Sequence, residues 1–230
     1  MDYQIVLKID KEKDAWNWWH AANHPSHGVA WSERIAQREI KEIIGLDQAT
    51  AGNILLPFLD KYYQENQDLL NSQLKVGQDL FNQKGQAAIN KVVEIFGRPL
   101  YRDNFVGFLT TFPRCPYNYE AGYFWLCALW PAKCYLGTFL HELLHFQFIF
   151  YYQAEILPLL GKEKFERLKE SLTVILNDEF RDFLCQSDQG YAIDQALRQR
   201  LFEKWQEDKS IDRLIDFGVM LTVDSKLSTK

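Results

Sequence analysis

The stretch YFWLCALWPAKCYLGTFLHELLHF, residues 123–146, joins an aromatic run to a long apolar segment through Pro131. Tyr123 to Trp130 is rich in residues that suit a pleated, buried surface, and it reads as a strand closed by the proline. From Ala132 the pattern turns helical and continues through Phe148, Ile149, Phe150, Tyr151 and Tyr152 to about Leu157. A helix that is apolar nearly all round is expected to be buried. It does not read as a membrane span, because Lys133, His141, Glu142, His145 and Glu155 are costly in lipid and no second span exists to shield them.

Outward from this stretch, Phe105 to Phe112 reads as a second buried strand, broken by Pro113 and Pro116. Tyr3, Ile5, Leu7 and Ile9 alternate as a third, and a helix starts in the following Lys-Glu-Lys-Asp-Ala-Trp. Further helices are predicted over 32–44, ending at Gly45, and over about 48–72 and 77–97, the last ending at Gly97-Arg98-Pro99. Beyond the central helix, 162–185 and 194–218 are again helical, and a Lys-rich tail covers 226–230. The expected class is therefore α+β: mainly helical, with a small sheet next to the helix that holds His141, and an N-terminal helical lobe. The composition change near Arg102-Asp103-Asn104 suggests lobes of 1–102 and 103–230.

The chain has 230 residues, 47% hydrophobic and 25% charged, in the range of ordinary globular proteins. Its 26 Lys and Arg against 31 Asp and Glu leave a formal charge of −5, without the basic footprint of a nucleic-acid binder, so neither DNA nor RNA is expected as a partner. Cys115, Cys127, Cys134 and Cys185 include no C-x-x-C pair and are expected to be buried free thiols. With an acidic second residue and no apolar leader, the amino terminus points to a cytoplasmic protein.

His141-Glu142-Leu143-Leu144-His145 places two imidazoles at i and i+4, on one face of a helix, where both can reach one ion. Glu142, about a hundred degrees around the helix, can reach a water on that ion. A polar triplet inside so apolar a helix is expensive unless paired or bound to metal. That cost argues for a site rather than for core histidines.

Thr138 to Phe146 resembles the extended motif of the zincin metallopeptidases, with uncharged residues at the internal and flanking positions. Gln147 departs from it, since a hydrophobic residue is usual there. The resemblance spans roughly residues 105–180. It implies a Zn²⁺ ion held by His141, His145 and a third ligand, with Glu142 as the general base that takes a proton from the zinc-activated water during peptide hydrolysis. The substrate would be a peptide or protein. A metzincin-like continuation is excluded by Phe148 and Tyr151, where glycine and histidine are needed. Glu155 lies about 15 Å along the same helix from His145 and cannot share the ion.

Two glutamates compete for the third place. Glu170, in Glu170-Ser171-Leu172-Thr173, resembles the gluzincin pattern. Glu179 falls at helical spacing with Leu168, Leu172, Ile175 and Phe183, a carboxylate inside an apolar stripe. The aspartate that gluzincins often carry four residues after the ligand is replaced by Val174, so a histidine-orienting group must come from elsewhere, with Asn177 or Asp178 as candidates. Tyr191 is a candidate oxyanion donor, though packing explains it as well. A catalytically inactive zincin-like module that binds metal or protein is the alternative to an enzyme.

The other histidines, His20, His24 and His27, sit close together, but Pro25 ends their helix and no carboxylate or cysteine completes a metal set. Trp16, Trp18, Trp19 and Trp31 fit the core of a small lobe better than a substrate pocket. Lys61 to Asn71 reads as a solvated helix, and Tyr117 to Glu120 as a loop.

Overall fold

Three parallel strands form most of the only sheet among the described residues of the computed structural model, which are 3–26, 28–37 and 39–224. They are β1 (Gln4–Ile9), β2 (Asn104–Thr110) and β4 (Tyr123–Cys127), with the two-residue β3 (Tyr117–Asn118) antiparallel on β4, in the order β1-β2-β4-β3. The rest is largely helical, so the α+β, mainly helical class holds. Register pairs Leu7 with Gly107 and Gly107 with Phe124. A Cβ at residue 107 would stand 2.6 Å from Leu7 Cδ2 and 3.0 Å from Phe124 Cζ, so glycine makes room for both neighbours. The outer edge of β1 is closed by one side chain: Leu7 N–H donates to Gln78 Oε1 at 2.8 Å, and Gln78 Nε2 donates to Ile5 O at 2.9 Å. An amide thus supplies the pairing that an exposed edge would seek elsewhere.

The chain forms two compact units, residues 1–83 with 104–138 and residues 84–103 with 139–230. The first unit takes residues from both sides of position 102, because β1 is hydrogen-bonded to β2. The first unit holds the sheet, α1 (Lys11–Asn23) and α2 (Gln48–Glu65). Asp10 starts α1 by accepting from the N–H groups of Glu12 and Lys13. Trp18 and Trp31 are buried with Ile35, Ile40, Ile43, Leu55 and Leu59, the lobe core expected of them. Trp16 stacks on Trp125 instead, with ring centroids 5.0 Å apart.

Asp14 is wholly buried in this unit and accepts from Thr110 Oγ1, Thr111 N, Thr111 Oγ1 and Tyr63 Oη. Burial raises its pKa although the four donors oppose the rise. Asp14→Ala strands four donors, each costing about 1–3 kcal/mol. A loss of at least about 3 kcal/mol is expected in urea unfolding, and a loss under about 1 kcal/mol would refute this account of the site.

Several expected boundaries are corrected. Residues 32–44 form two short 3₁₀ turns, Trp31–Arg34 and Glu39–Ile43, in place of an α-helix. So short a helix is marginal by itself, and the burial of Ile35, Ile40 and Ile43 decides its path. Gly45 still takes the left-handed conformation expected of it, φ +84°. The polar region 61–71 is interrupted at Asn66, whose N–H closes α2 on Tyr62 O, and α3 (Gln67–Phe96) begins ten residues before the predicted 77. β4 ends at Cys127 because Trp130 N–H turns back to Cys127 O ahead of Pro131. Cys115 and Cys127 are free, but Cys134 and Cys185 are disulfide-bonded and not the thiols expected. Spacing alone carries no signal for such a bond.

The second unit is built on α4 (Tyr135–Leu172), in which Gly161 breaks the helical path with φ +71° and ψ 166°. This is the boundary predicted between residues 157 and 162. After α4 come a 3₁₀ turn (Thr173–Ile175), the short α5 (Leu176–Glu179), an irregular stretch, α6 (Gln195–Glu207) and α7 (Ile211–Asp224). The predicted 162–185 helix therefore stops being regular at Leu172, and 194–218 is two helices parted near Asp208. Among the described residues no helix is long and apolar enough to cross a membrane. The tail 226–230 lies outside the described residues.

Candidate metal centre

His141 and His145 project from one face of α4, as i, i+4 spacing requires, with ring centroids 4.5 Å apart. Twenty-five residues of straight helix would carry residue 170 about 38 Å from His145. The break at Gly161 reverses that path, and Glu170 returns to the two rings. Its Oε2 lies 3.5 Å from His141 Nε2, and its Oε1 lies 3.3 Å from His145 Nε2. One donor atom from each of the three residues falls within a 4.8 Å cluster. Ligand atoms about 2.0–2.1 Å from a tetrahedral ion stand about 3.3–3.4 Å apart, so these separations suit an ion with only small adjustments. The set can hold a metal ion.

Glu179, the competing third ligand, is directed elsewhere. Its Oε1 accepts from Trp205 Nε1 at 3.0 Å and pairs with Lys209 at 3.0 Å, and its Oε2 faces Lys91 at 3.6 Å. Trp205 is buried, and its indole N–H needs the acceptor that Glu179 supplies. Glu155 is exposed on α4.

Sequence reasoning missed Asp188, which comes from the irregular stretch before α6. His141 Nδ1–H donates to Asp188 Oδ2 at 2.6 Å. This holds the ring with Nε2 facing Glu170, where Nε2 can serve as a ligand atom once its own proton is displaced. Asn177, a predicted orienting residue, acts one step removed: its Oδ1 accepts from Asp188 N at 2.7 Å and its Nδ2 donates to Asp188 O at 2.8 Å. Asp178, the other candidate, pairs with Lys209 and accepts from Gln206. The only local hint of Asp188 is an acidic residue in a non-helical Ser-Asp-Gln-Gly segment, which is common in loops. Tyr191 sits just before the turn Ala192–Asp194, three residues past Asp188.

Charge in the cluster is tightly coupled. Burial opposes protonation of His141, but Asp188 and Glu170 outweigh it and raise its pKa well above the usual value. Burial lowers His145 to about 4 despite Glu170. Glu170 is held well below the ordinary carboxylate range, because His145, His141 and Lys169 overcome its burial. Asp188 falls to about 2 against its burial, through His141 and Arg198. Burial pushes Glu142 up to about 8, with Glu170 adding to the rise and His141 and Lys169 opposing it. Glu142 Oε2 is buried and has no hydrogen-bond partner among the described residues.

Two outcomes follow from this geometry. Asp188→Asn keeps the shape but loses the charge that orients His141, and metal affinity is expected to fall about 10- to 100-fold in a chelator competition. An unchanged affinity would remove Asp188 from the centre. A metal ion must also displace the proton that Asp188 and Glu170 favour on His141, so affinity should rise with pH through the neutral range, with proton release on binding. Calorimetry in buffers of different ionisation enthalpy reads this, and zero proton release would contradict it.

Among the described residues, His20 and His24 form no such group. His20 and His24 stack with centroids 4.3 Å apart, and Arg114 Nη1–H donates to His20 Nδ1 at 2.8 Å, placing a cation where an ion would be needed. Burial, helped by Arg114 and His24, lowers His20 to about 4. His27 lies outside the described residues. No protein-family model, curated protein or solved structure matches the chain.

Proposed function

We propose that this protein is a zinc-dependent metallopeptidase that hydrolyses peptide bonds. The observation that carries the reading is a buried glutamate, one oxygen without a hydrogen-bond partner among the described residues, next in sequence to one of three convergent ligands. Two imidazoles and a carboxylate are the ligand set of several hydrolytic zinc centres, which suits zinc better than calcium or magnesium, the ions that take oxygen ligands. Bound there, zinc would supply Lewis acidity that activates water and polarises the substrate carbonyl.

The chain's own groups would do the remaining work. His141, His145 and Glu170 hold the ion, with His141 oriented by Asp188. Glu142 accepts a proton from the attacking water and delivers it to the leaving amine. Burial raises the pKa of Glu142 from the ordinary carboxylate range toward neutrality, which suits a group that must both take up and release a proton.

The test is metal content per chain by elemental mass spectrometry on untagged protein, followed by digestion of a peptide library. About one zinc per chain and cleavage that depends on Glu142 support the reading. Zinc without cleavage selects the non-hydrolytic metal-binding module, and no metal after zinc is offered overturns both.

A further inference from the structure

We infer that Arg198, on α6, is a positioning residue that sets the geometry of the metal centre from behind, an inference that rests on the metal-binding reading above. Its guanidinium is buried, with the residue only 3% exposed, and it has four acceptors. Nη1 donates to Glu170 O at 3.1 Å and to Thr173 Oγ1 at 2.7 Å. Nη2 donates to Asp188 O at 2.8 Å and to Asp188 Oδ1 at 2.6 Å. One planar group thus holds the backbone of the third ligand and the carboxylate that orients the first.

The stretch around Asp188 is shaped for this group. Gly190 has φ +60°, and a Cβ there would lie 2.6 Å from both Cζ and Nε of Arg198. Thr173 completes the bracket: Oγ1 lies 2.8 Å from Glu170 O and 3.0 Å from Asp188 Oδ1, and its single proton can serve either. Asp188 Oδ2 faces His141, so Arg198 and Thr173 on Oδ1 decide the rotation of the carboxylate. A lysine cannot reproduce the fork, since it presents a point charge on a flexible stem. Burying a guanidinium is costly, and a well-packed apolar residue often serves stability as well. The acceptors of this cation all belong to a metal ligand, the residue three beyond it, or the aspartate behind His141, which points to the metal centre as its role.

The experiment compares Zn²⁺ affinity by chelator competition, and the visible spectrum of the Co²⁺ form, for the full chain and three variants. Arg198→Met should weaken Zn²⁺ binding about 100-fold and Arg198→Lys about 10-fold, both altering the Co²⁺ bands. Arg167→Met is the control, because Arg167 also makes a largely buried pair, to Asp194 at 2.8 Å, but touches no ligand or Asp188. It should lower the melting temperature and leave Zn²⁺ affinity within about threefold. Arg198→Lys keeps the buried cation and carries the test if the methionine variant does not fold. Wild-type affinity and spectrum in the Arg198 variants would overturn the inference while leaving the metal centre standing, as would an equal loss in Arg167→Met. A wild-type chain that takes up neither ion overturns the metal reading together with it.

Discussion

Glu142→Gln is expected to retain about one metal ion per chain and to lose peptide hydrolysis by about two to four orders of magnitude, the range over which a positioned general base contributes. The substitution is close to isosteric, and Glu142 is none of the three clustered ligands, so the ion should stay. An amide cannot take the water's proton, so turnover should fail at the chemical step, with kcat lowered and KM little changed. The raised pKa of Glu142 makes the variant informative about stability as well. Burial raises Glu142 to about 8, so near neutral pH the metal-free carboxyl is mostly uncharged and a neutral amide of the same shape changes the charge of the site little. The unfolded carboxyl ionises in the ordinary carboxylate range, so the metal-free variant should melt close to wild type below that pH and gain on it as pH rises from there to about 8. Wild-type cleavage by Glu142→Gln would end the mechanism, and loss of the metal with the activity would make Glu142 a structural support instead.

What could be read from the sequence follows the range over which each feature is determined. The His141–His145 pair depends on one turn of helix, and its apolar setting is visible in the same twenty residues, so both the helix and the paired histidines were legible. Glu170 was legible only through its likeness to a known pattern, because its approach to the histidines depends on the left-handed Gly161 nine residues earlier. Asp188 and Arg198 were not legible. His141 and Asp188 are 47 positions apart, and an irregular stretch has no periodicity to report which side chain turns inward. Periodicity misled at Glu179, where an apolar stripe was correctly seen but the carboxylate on it serves Trp205 and Lys209. The short turns at 31–43 failed for a related reason, since three isoleucines buried in a core override what local spacing favours.

That contrast between Glu170 and Glu179 sets the second large effect. Glu170→Ala should abolish stoichiometric metal binding, because it removes one of three clustered donors and leaves the two imidazoles without the carboxylate that both approach. It also takes one acidic partner each from Lys169 and His141. Lys169 Nζ lies 3.6 Å from Glu170 Oε1, and His141 would keep Asp188 as its hydrogen-bonded acidic partner. Lys169 retains Glu166, so the variant is expected to fold with reduced stability, since removing one partner of a buried pair costs about 3–5 kcal/mol at most. Glu179→Ala should do the reverse. It strands the Trp205 indole N–H and loosens Lys209 and Lys91, lowering the melting temperature, yet it should keep about one metal per chain at wild-type affinity. Elemental analysis and thermal melts on the two variants together separate a ligand from a packing carboxylate. Metal retained in Glu170→Ala and lost in Glu179→Ala would place the third ligand on the wrong turn and require the centre to be rebuilt around α5.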